Sequence, residues 1–201
     1  LVFKSKNQNE PISLQLDHDS SFLSLKNEGN STIDSGQNFF KDVVNTGTLV
    51  NNAEMIVSSN FKTNNLAGDG TITMAQGSVL NVPPEFETTN NLISKGMLFG
   101  ENVEKVTVSD LTIAENSTLD IKNIDVTANN LLMAENSVLK VTLNGFSDYG
   151  TISGETIHAL EGASLQFNFG NDFSGGVYQI LNFSEIISLP LIQNINGSLD
   201  L

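Results

Sequence analysis

A nine-residue frame recurs along this chain, and it constrains the fold more than any other feature of the sequence. An apolar residue is followed by a small or apolar residue, Glu or Gln, Gly or Asn, Ser or Ala, any residue, Leu, a polar residue and a second apolar residue. The copies lie at 74–82 (MAQGSVLNV), 113–121 (IAENSTLDI), 133–141 (MAENSVLKV) and 159–167 (ALEGASLQF). The second and third copies start about 20 residues apart, which is the size of one unit in a stacked repeat. The first interval is about twice as long and fits two units, and the last is slightly longer and fits one unit with an insertion.

Each position of the frame has a physical role. The fourth position is expected to form a tight corner with left-handed backbone, at Gly77, Asn116, Asn136 and Gly162. The Leu of each copy and the apolar residue two positions later should then point inward, as at Leu80 and Val82, Leu119 and Ile121, Leu139 and Val141, and Leu165 and Phe167. One such unit cannot bury its own apolar face. Units stacked about 4.8 Å apart pair their backbones and share a core, so the sequence predicts a β-solenoid of about nine rungs.

Other short segments also alternate between apolar and polar residues, and no stretch shows helical periodicity over three turns. Strands are predicted at 12–16, 22–25, 106–108, 121–126, 139–143 and 165–169.

An antiparallel sandwich is the rival all-β fold, with hairpin turns at Asn144-Gly145 and Asn196-Gly197. It offers no reason for the repeated frame, so the solenoid is favoured.

The composition narrows the classes of function. The 201 residues include 23 Asp and Glu against 9 Lys and no Arg, for a net charge of −14. Nucleic-acid binding needs a basic surface, so this charge argues against that class. The absence of Cys excludes thiolate zinc sites and cysteine nucleophiles. The 26 Asn residues are expected at stacked corners, where their side-chain amides can pair along the ladder.

Three segments of the single predicted domain, 1–201, depart from the regular pattern. Paired prolines at 83 and 84 cannot donate ladder hydrogen bonds, so residues 83–91 are predicted to form a loop extruded from the rod. The apolar segment at 177–201 is expected to be a C-terminal cap or a docking surface, since solenoid ends expose strand edges. Residues 1–20 are expected to form the N-terminal edge.

The turns at 45–48 (NTGT) and 68–71 (GDGT), the frame at 133–141 and the segment 167–181 (FNFGNDFSGGVYQIL) resemble those of autotransporter passenger domains. The resemblance covers roughly residues 20–185. It implies a right-handed parallel β-helix that is secreted from, or displayed on, a Gram-negative cell surface. It also implies that the full-length chain continues into an outer-membrane β-barrel. Passengers include adhesins, proteases, esterases and toxins, and this chain carries no nucleophile motif that would transfer a catalytic role.

Several residues are candidate sites, but each is better explained without a catalytic or metal-binding role. Neighbouring side chains in a strand diverge, so Asp17-His18-Asp19 is a poor metal site. His158 has no Gly-x-Ser-x-Gly serine to activate. Glu85 and Glu87 on the predicted loop, with Glu101 and Glu104 close behind, could supply the paired carboxylates of a glycosidase, but solvated charges explain them better. The turns at 68–70 and 170–172 lack the repeat of calcium solenoids.

The sequence therefore assigns no catalytic, cofactor-binding or metal-binding residue and no cofactor. We expect a non-catalytic stalk that acts in adhesion or surface presentation and that contacts a glycan or protein on a cell surface. The alternative is a β-helix that binds or degrades polysaccharide, as lyases and tailspikes do.

Overall fold

The chain folds into short β-strands joined by turns. The computed structural model describes residues 2–3, 12–14, 20–33, 36–145, 147–173 and 176–194. These residues contain no helix, and therefore none that could cross a membrane. Their strand pairs are parallel, except for one short antiparallel pair. The prediction of an all-β protein is confirmed, and so is the dominance of parallel pairing.

The strands are short and are separated by turns. The first half of the chain contributes β1 (Val2–Phe3), β2 (Ile12–Leu14), β3 (Ser20–Asn27), β4 (Asn30–Ile33), β5 (Gln37–Asn45), β6 (Thr48–Asn51), β7 (Glu54–Thr63), β8 (Leu66–Ala67), β9 (Thr71–Met74), β10 (Val79–Asn81) and β11 (Glu85–Glu87). The second half contributes β12 (Asn91–Ser94), β13 (Leu98–Phe99), β14 (Lys105–Ile113), β15 (Thr118–Lys122), β16 (Asp125–Met133), β17 (Val138–Gly145), β18 (Asp148–Tyr149), β19 (Thr151–Ala159), β20 (Ser164–Phe169), β21 (Leu181–Ser188) and β22 (Leu191–Asn194).

The described strands form three sheets. The largest runs in the order β1-β3-β5-β7-β9-β12-β14-β16-β19-β21, with β10, β11 and β13 attached beside this path. A second sheet has the order β15-β17-β20-β22, with β18 beside β17, and a third has the order β2-β4-β6-β8. Neighbours within each sheet are mostly separated by intervening strands of the chain. Parallel pairing requires such crossovers, because a tight hairpin can only join antiparallel strands.

The frame positions lie in register across neighbouring strands. Ile113, the first residue of the second copy, pairs with Met133, and Met133 pairs with Ala159. The interval from Ile113 to Met133 is therefore one unit. The interval from Met133 to Ala159 is one unit with an insertion, because β17 turns back at Gly145 to form the antiparallel pair with β18. The predicted insertion is confirmed, but Asn144 and Gly145 are the last residues of β17 rather than a turn, and Gly145 pairs with Asp148 of β18.

All four predicted corners have left-handed backbone. The φ angles are 72° at Gly77, 55° at Asn116, 54° at Asn136 and 73° at Gly162. A fifth corner, Gly96 with φ 94°, belongs to the unit that the frame does not reveal. Its carbonyl oxygen accepts a hydrogen bond of 2.8 Å from the backbone N–H of Gly77. The first interval between frame copies therefore contains two units, as predicted.

The core follows from the alternation within the frame. The leucine of each copy is buried, at Leu80, Leu119, Leu139 and Leu165. The apolar residue two positions later is also buried at Ile121, Val141 and Phe167, while Val82 is half-buried against the core. Burying an aliphatic side chain of this size contributes about 1.5–3 kcal/mol. One continuous apolar cluster extends from Leu25 to Ile180.

Asparagine amides pair along the stack, as the composition predicted. Asn27 Nδ2 donates to Asn45 Oδ1 at 2.8 Å, and Asn45 Nδ2 donates to Thr63 Oγ1 at 2.8 Å. These three residues form the amide ladder. They occupy one register position of β3, β5 and β7, and each is fully buried. Asn51 and Asn90 pair in the same way at 2.8 Å. These buried polar side chains are stable because each finds a partner on a neighbouring strand or turn.

The structure corrects two local predictions. The segment 83–91 is not an extruded loop, because after Pro83 and Pro84 the chain rejoins the ladder as β11 beside β14, and β12 begins at Asn91. Phe86 within it is buried, so its apolar side chain overrides the break that the prolines impose. The strand predicted over 121–126 is also interrupted. The backbone N–H of Ile124 bonds to the carbonyl of Ile121 at 2.8 Å, which closes a turn between β15 and β16.

Several aliphatic side chains of residues 177–194, at the C-terminal end of the stack, are exposed. Ile186 pairs in register with Ile157, yet Ile157 is fully buried and Ile186 is 57% exposed. Four further aliphatic residues of this end are 52–60% exposed, namely Ile187, Leu189, Leu191 and Ile192. Within 177–194, Ile180 is buried and Leu181 and Phe183 pack against the core, while these aliphatic side chains face solvent. Most of the N-terminal edge, 1–20, lies outside the described residues.

Candidate functional site

Three adjoining cavities run along one outer face of the strand stack, where β5, β7, β10 and β13 lie side by side. Their volumes are ≈ 570, ≈ 780 and ≈ 390 Å³. The first two share Lys62 and Asn81, and the last two share Asn81, Gly100, Glu101 and Asn102. We call this continuous depression the lateral groove.

Strand alternation places polar side chains on the floor of the groove. Leu25, Val43, Phe61 and Leu80 lie in one register column and point into the core. The next residue of each strand must therefore face outward. This gives the outer column Lys26, Val44, Lys62 and Asn81. A second outer column contains Ser24, Asp42, Asn60, Val79 and Leu98.

Hydrogen bonds between side chains link the floor from strand to strand. Asn81 Nδ2 donates to Asn60 Oδ1 at 3.3 Å, and Asn60 Nδ2 donates to Asp42 Oδ1 at 3.5 Å. The backbone under these residues is already paired, because β10 lies between β7 and β13. A ligand in the groove would therefore meet side-chain amides, ammonium groups and carboxylates rather than unpaired main-chain groups.

One wall of the groove is formed where the ladder is interrupted. Pro83 and Pro84 bring the chain outward, and the carbonyl oxygen of Pro84 accepts hydrogen bonds of 2.8 Å from the backbone N–H groups of Glu104 and Lys105. On the facing side, Gly100 packs so closely that a Cβ there would lie 2.5 Å from Asn81 Oδ1. Glycine at this position leaves room for the side chain of Asn81.

A fourth cavity of ≈ 330 Å³ extends the same face towards β17. It shares Leu98 with the lateral groove, and Lys95, Asp120 and Lys140 are among its lining residues. Asp120 and Lys140 are register partners at the polar position of the frame. The concave surface thus crosses strands from the first third of the chain to the third copy of the frame.

Of the carboxylates and the histidine weighed from the sequence, only Glu101 lines the groove. Glu85 and Glu87 lie on either side of buried Phe86 in β11 and are exposed to solvent. Glu104 is also exposed, in the turn before β14. His158 is half-buried in β19, in register with Leu132 and Ser188.

The turns considered for calcium have other partners or lie open. The carbonyl oxygen of Gly68 already accepts hydrogen bonds from Asn90 Nδ2 at 3.0 Å and Thr89 Oγ1 at 2.5 Å. Asn171 and Asp172 are exposed in a turn. Residues 17–19 lie outside the described part of the chain. Among the described residues, no group of three His, Cys, Asp or Glu side chains could hold a metal ion.

Sequence reasoning missed the groove because it looked for catalytic constellations. A usable signal was present in the frame, at the polar position between its two inward-pointing residues. In the first three copies that position holds Asn81, Asp120 and Lys140, and each lines one or more of the four cavities, whereas Gln166 of the fourth copy lines none of them. Lys26 and Lys62 lie outside the copies of the frame. Only the register of β3, β5 and β7 shows that they line the groove.

The groove offers hydrogen-bonding amides and positive charges along an open track, and its described residues bring together no nucleophile with an adjacent base. Comparisons with known protein families, curated proteins and solved structures give no match.

Proposed function

We propose that this chain is a right-handed parallel β-helix of about nine rungs and that it is a non-catalytic passenger of an autotransporter-like surface protein. In this proposal it is displayed outside a Gram-negative cell and acts in adhesion. The lateral groove is the adhesive site, and its ligand is an extended glycan. The single observation that carries the assignment is the series of adjoining cavities that crosses successive strands on one outer face.

Two features support the helical stack. The register column through Ile113 continues one unit further at each step, to Met133 and then to Ala159. The left-handed corners at Asn116 and Asn136 recur at the same frame position. A coil with one turn per unit accounts for both, because equivalent residues then stack one strand spacing apart, about 4.8 Å.

The shape and chemistry of the groove favour a glycan over a peptide. Peptides commonly bind sheets by adding a strand to an unpaired edge. Here the floor strand β10 is paired on both sides, so its main chain is unavailable. The side chains of Asn60, Asn81 and Asn102 instead present donors and acceptors that can satisfy sugar hydroxyls. A depression open along its length accommodates a polymer rather than a compact ligand.

The test is binding of the purified chain to an array of immobilised polysaccharides. The double variant Asn81→Ala/Asn102→Ala removes two groove amides, and Asn129→Ala removes an exposed amide that lines none of the four cavities. We expect the chain to bind at least one glycan, and the double variant to bind it more weakly while Asn129→Ala does not. Equal binding by all three proteins would refute the assignment of the groove. Release of new reducing ends from the bound glycan would instead support the degrading alternative.

A further inference from the structure

We propose that the ligand of the lateral groove is a polyanionic polysaccharide, and that Lys122 contacts it from a backbone conformation that is unfavourable for lysine. This inference rests on the proposed glycan-binding function and adds the charge class of the ligand. Two independent observations carry it, namely the distribution of lysines and the backbone angle of Lys122.

Lysines are concentrated on one face of an otherwise acidic protein. Of the seven lysines among the described residues, five line the lateral groove or the adjoining fourth cavity: Lys26, Lys62, Lys95, Lys122 and Lys140. Three carboxylates line the same surfaces, those of Asp42, Glu101 and Asp120. This face therefore has a local excess of positive charge on a chain whose net charge is −14.

The spacing of the lysines suits a polymer with separated charges. Lys26 and Lys62 occupy the same register column, with Val44 between them. Two strand spacings correspond to about 10 Å between their backbones. Lys26 also forms an ion pair with Glu28. An exposed ion pair of this kind is weak, so a ligand carboxylate or sulfate can compete for the ammonium group.

Lys122 has a φ of 52° and is, in the described part of the chain, the one residue with positive φ that is neither glycine nor asparagine. Left-handed backbone brings the Cβ of such a residue too close to the following carbonyl. The strain is held in place locally, because Asp120 Oδ1 accepts a hydrogen bond of 3.0 Å from the Lys122 backbone N–H. A strained residue that lines a groove points to a role for its side chain.

The net negative charge of the protein limits which polyanions can bind in the lateral groove. Duplex DNA carries a dense row of phosphate charges, so its repulsion by the acidic body would be severe. Uronic or sulfated glycans carry charges at wider intervals. Repulsion from distant carboxylates is screened beyond about 8 Å at physiological ionic strength, while the groove lysines act at contact distance. The lysine ammonium group binds carboxylate and sulfate as a point charge, so both anion types satisfy the same site.

The experiment measures affinity for polygalacturonate, chondroitin sulfate and neutral dextran, at low and at physiological salt. We expect binding to at least one of the two polyanions that weakens as salt rises, and weaker binding to dextran. Preference between the two polyanions identifies the anion as carboxylate or sulfate. Dextran bound as tightly as both polyanions would overturn the charge assignment but leave glycan binding intact. If the chain bound none of these three polysaccharides and no glycan on the array, both the proposed glycan binding and the proposed charge class of the ligand would be refuted.

Lys122→Asn gives the sharper test, because asparagine occupies the same conformation at Asn116 and Asn136. We expect this variant to unfold at a higher urea concentration and to bind the polyanion about two- to fivefold more weakly. Lys62→Gln should weaken binding similarly without a change in stability, and Lys105→Gln, outside the groove, should change neither. The reverse change Asn136→Lys should lower stability and leave binding intact. A Lys122→Asn protein that loses stability, or that binds the polyanion normally, would overturn the role assigned to Lys122.

Discussion

Replacement of Asn45 by alanine removes the middle member of the amide ladder. The side chain belongs to a residue that is 1% exposed, and it makes three hydrogen bonds. Its Nδ2 donates to Thr63 Oγ1 at 2.8 Å and to the carbonyl of Asn65 at 2.7 Å, and its Oδ1 accepts from Asn27 Nδ2 at 2.8 Å. Each buried hydrogen bond contributes about 1 kcal/mol net, so we expect a loss of about 2–4 kcal/mol.

The loss should stay within that range because the former partners keep other contacts. Asn27 Nδ2 still donates to the carbonyl oxygens of Thr48 at 2.9 Å and Gly29 at 3.1 Å. Thr63 Oγ1 still donates to the carbonyl of Asn65 at 3.0 Å. Each of these partner atoms keeps a hydrogen bond, so the penalty for an unsatisfied group does not add to the loss. Domains are stable by about 5–15 kcal/mol, so the effect should be easy to measure.

Urea unfolding followed by far-UV circular dichroism measures the change, and the slope of the transition tests whether the mutant still unfolds in one step. Stacked repeats can unfold in parts, so amide hydrogen exchange in β3, β5 and β7 provides a local measure. Asn129→Ala, at an exposed position of β16, is the matched control and should change the stability by less than about 0.5 kcal/mol. If Asn45→Ala destabilised the protein no more than this control, the hydrogen bonds of the amide ladder would not contribute to the free energy of unfolding.

Two further pairs of mutations test the core and the corners by urea unfolding. Leu139→Ala should cost about 2–5 kcal/mol, because the leucine is fully buried between stacked units, whereas Ile187→Ala, at an exposed position of β21, should cost far less. Equal losses would mean that Ile187 is covered in solution. Gly154→Ala should be severely destabilising, because its Cβ would overlap the carbonyl oxygen of Ala128. A Cβ at Gly77 would have no atom within 4 Å, so Gly77→Ala should lower the stability by only about 1–2 kcal/mol, through backbone strain. A larger loss of stability at Gly77 than at Gly154 would contradict the close approach of Gly154 to Ala128.

The parts of the fold that repeat were predictable, and the parts that break the repeat were not. The frame located the corners at Gly77 and Asn116, because a left-handed turn has a narrow residue preference. The frame did not predict the corner at Gly96, because the sequence of that unit differs too much from the frame. The prediction of an extruded loop at 83–91 was wrong, because two prolines interrupt a ladder only locally. Burial of Phe86 brings the chain back into the sheet beside β14.

The turn at Lys122 shows the same limit. The alternating sequence 121–126 resembles a strand, and lysine rarely takes positive φ, so nothing local indicates a corner there. The corner arises because Ile121 and Ile124 are both buried, which requires the chain to bend between them. Asp120 then supports the bend through its hydrogen bond to the Lys122 backbone N–H.

The sequence by itself determined the all-β class, the repeating unit, the inward leucines and the pairing of asparagine amides. These are consequences of short-range alternation and of turn residues, which act within one or two strands. Only the tertiary structure decided the register that aligns Lys26 with Lys62 and joins them to Asn81 and Lys122 in one groove. That arrangement depends on contacts between residues far apart in the chain, because a shift of one residue in any strand would turn these side chains into the core.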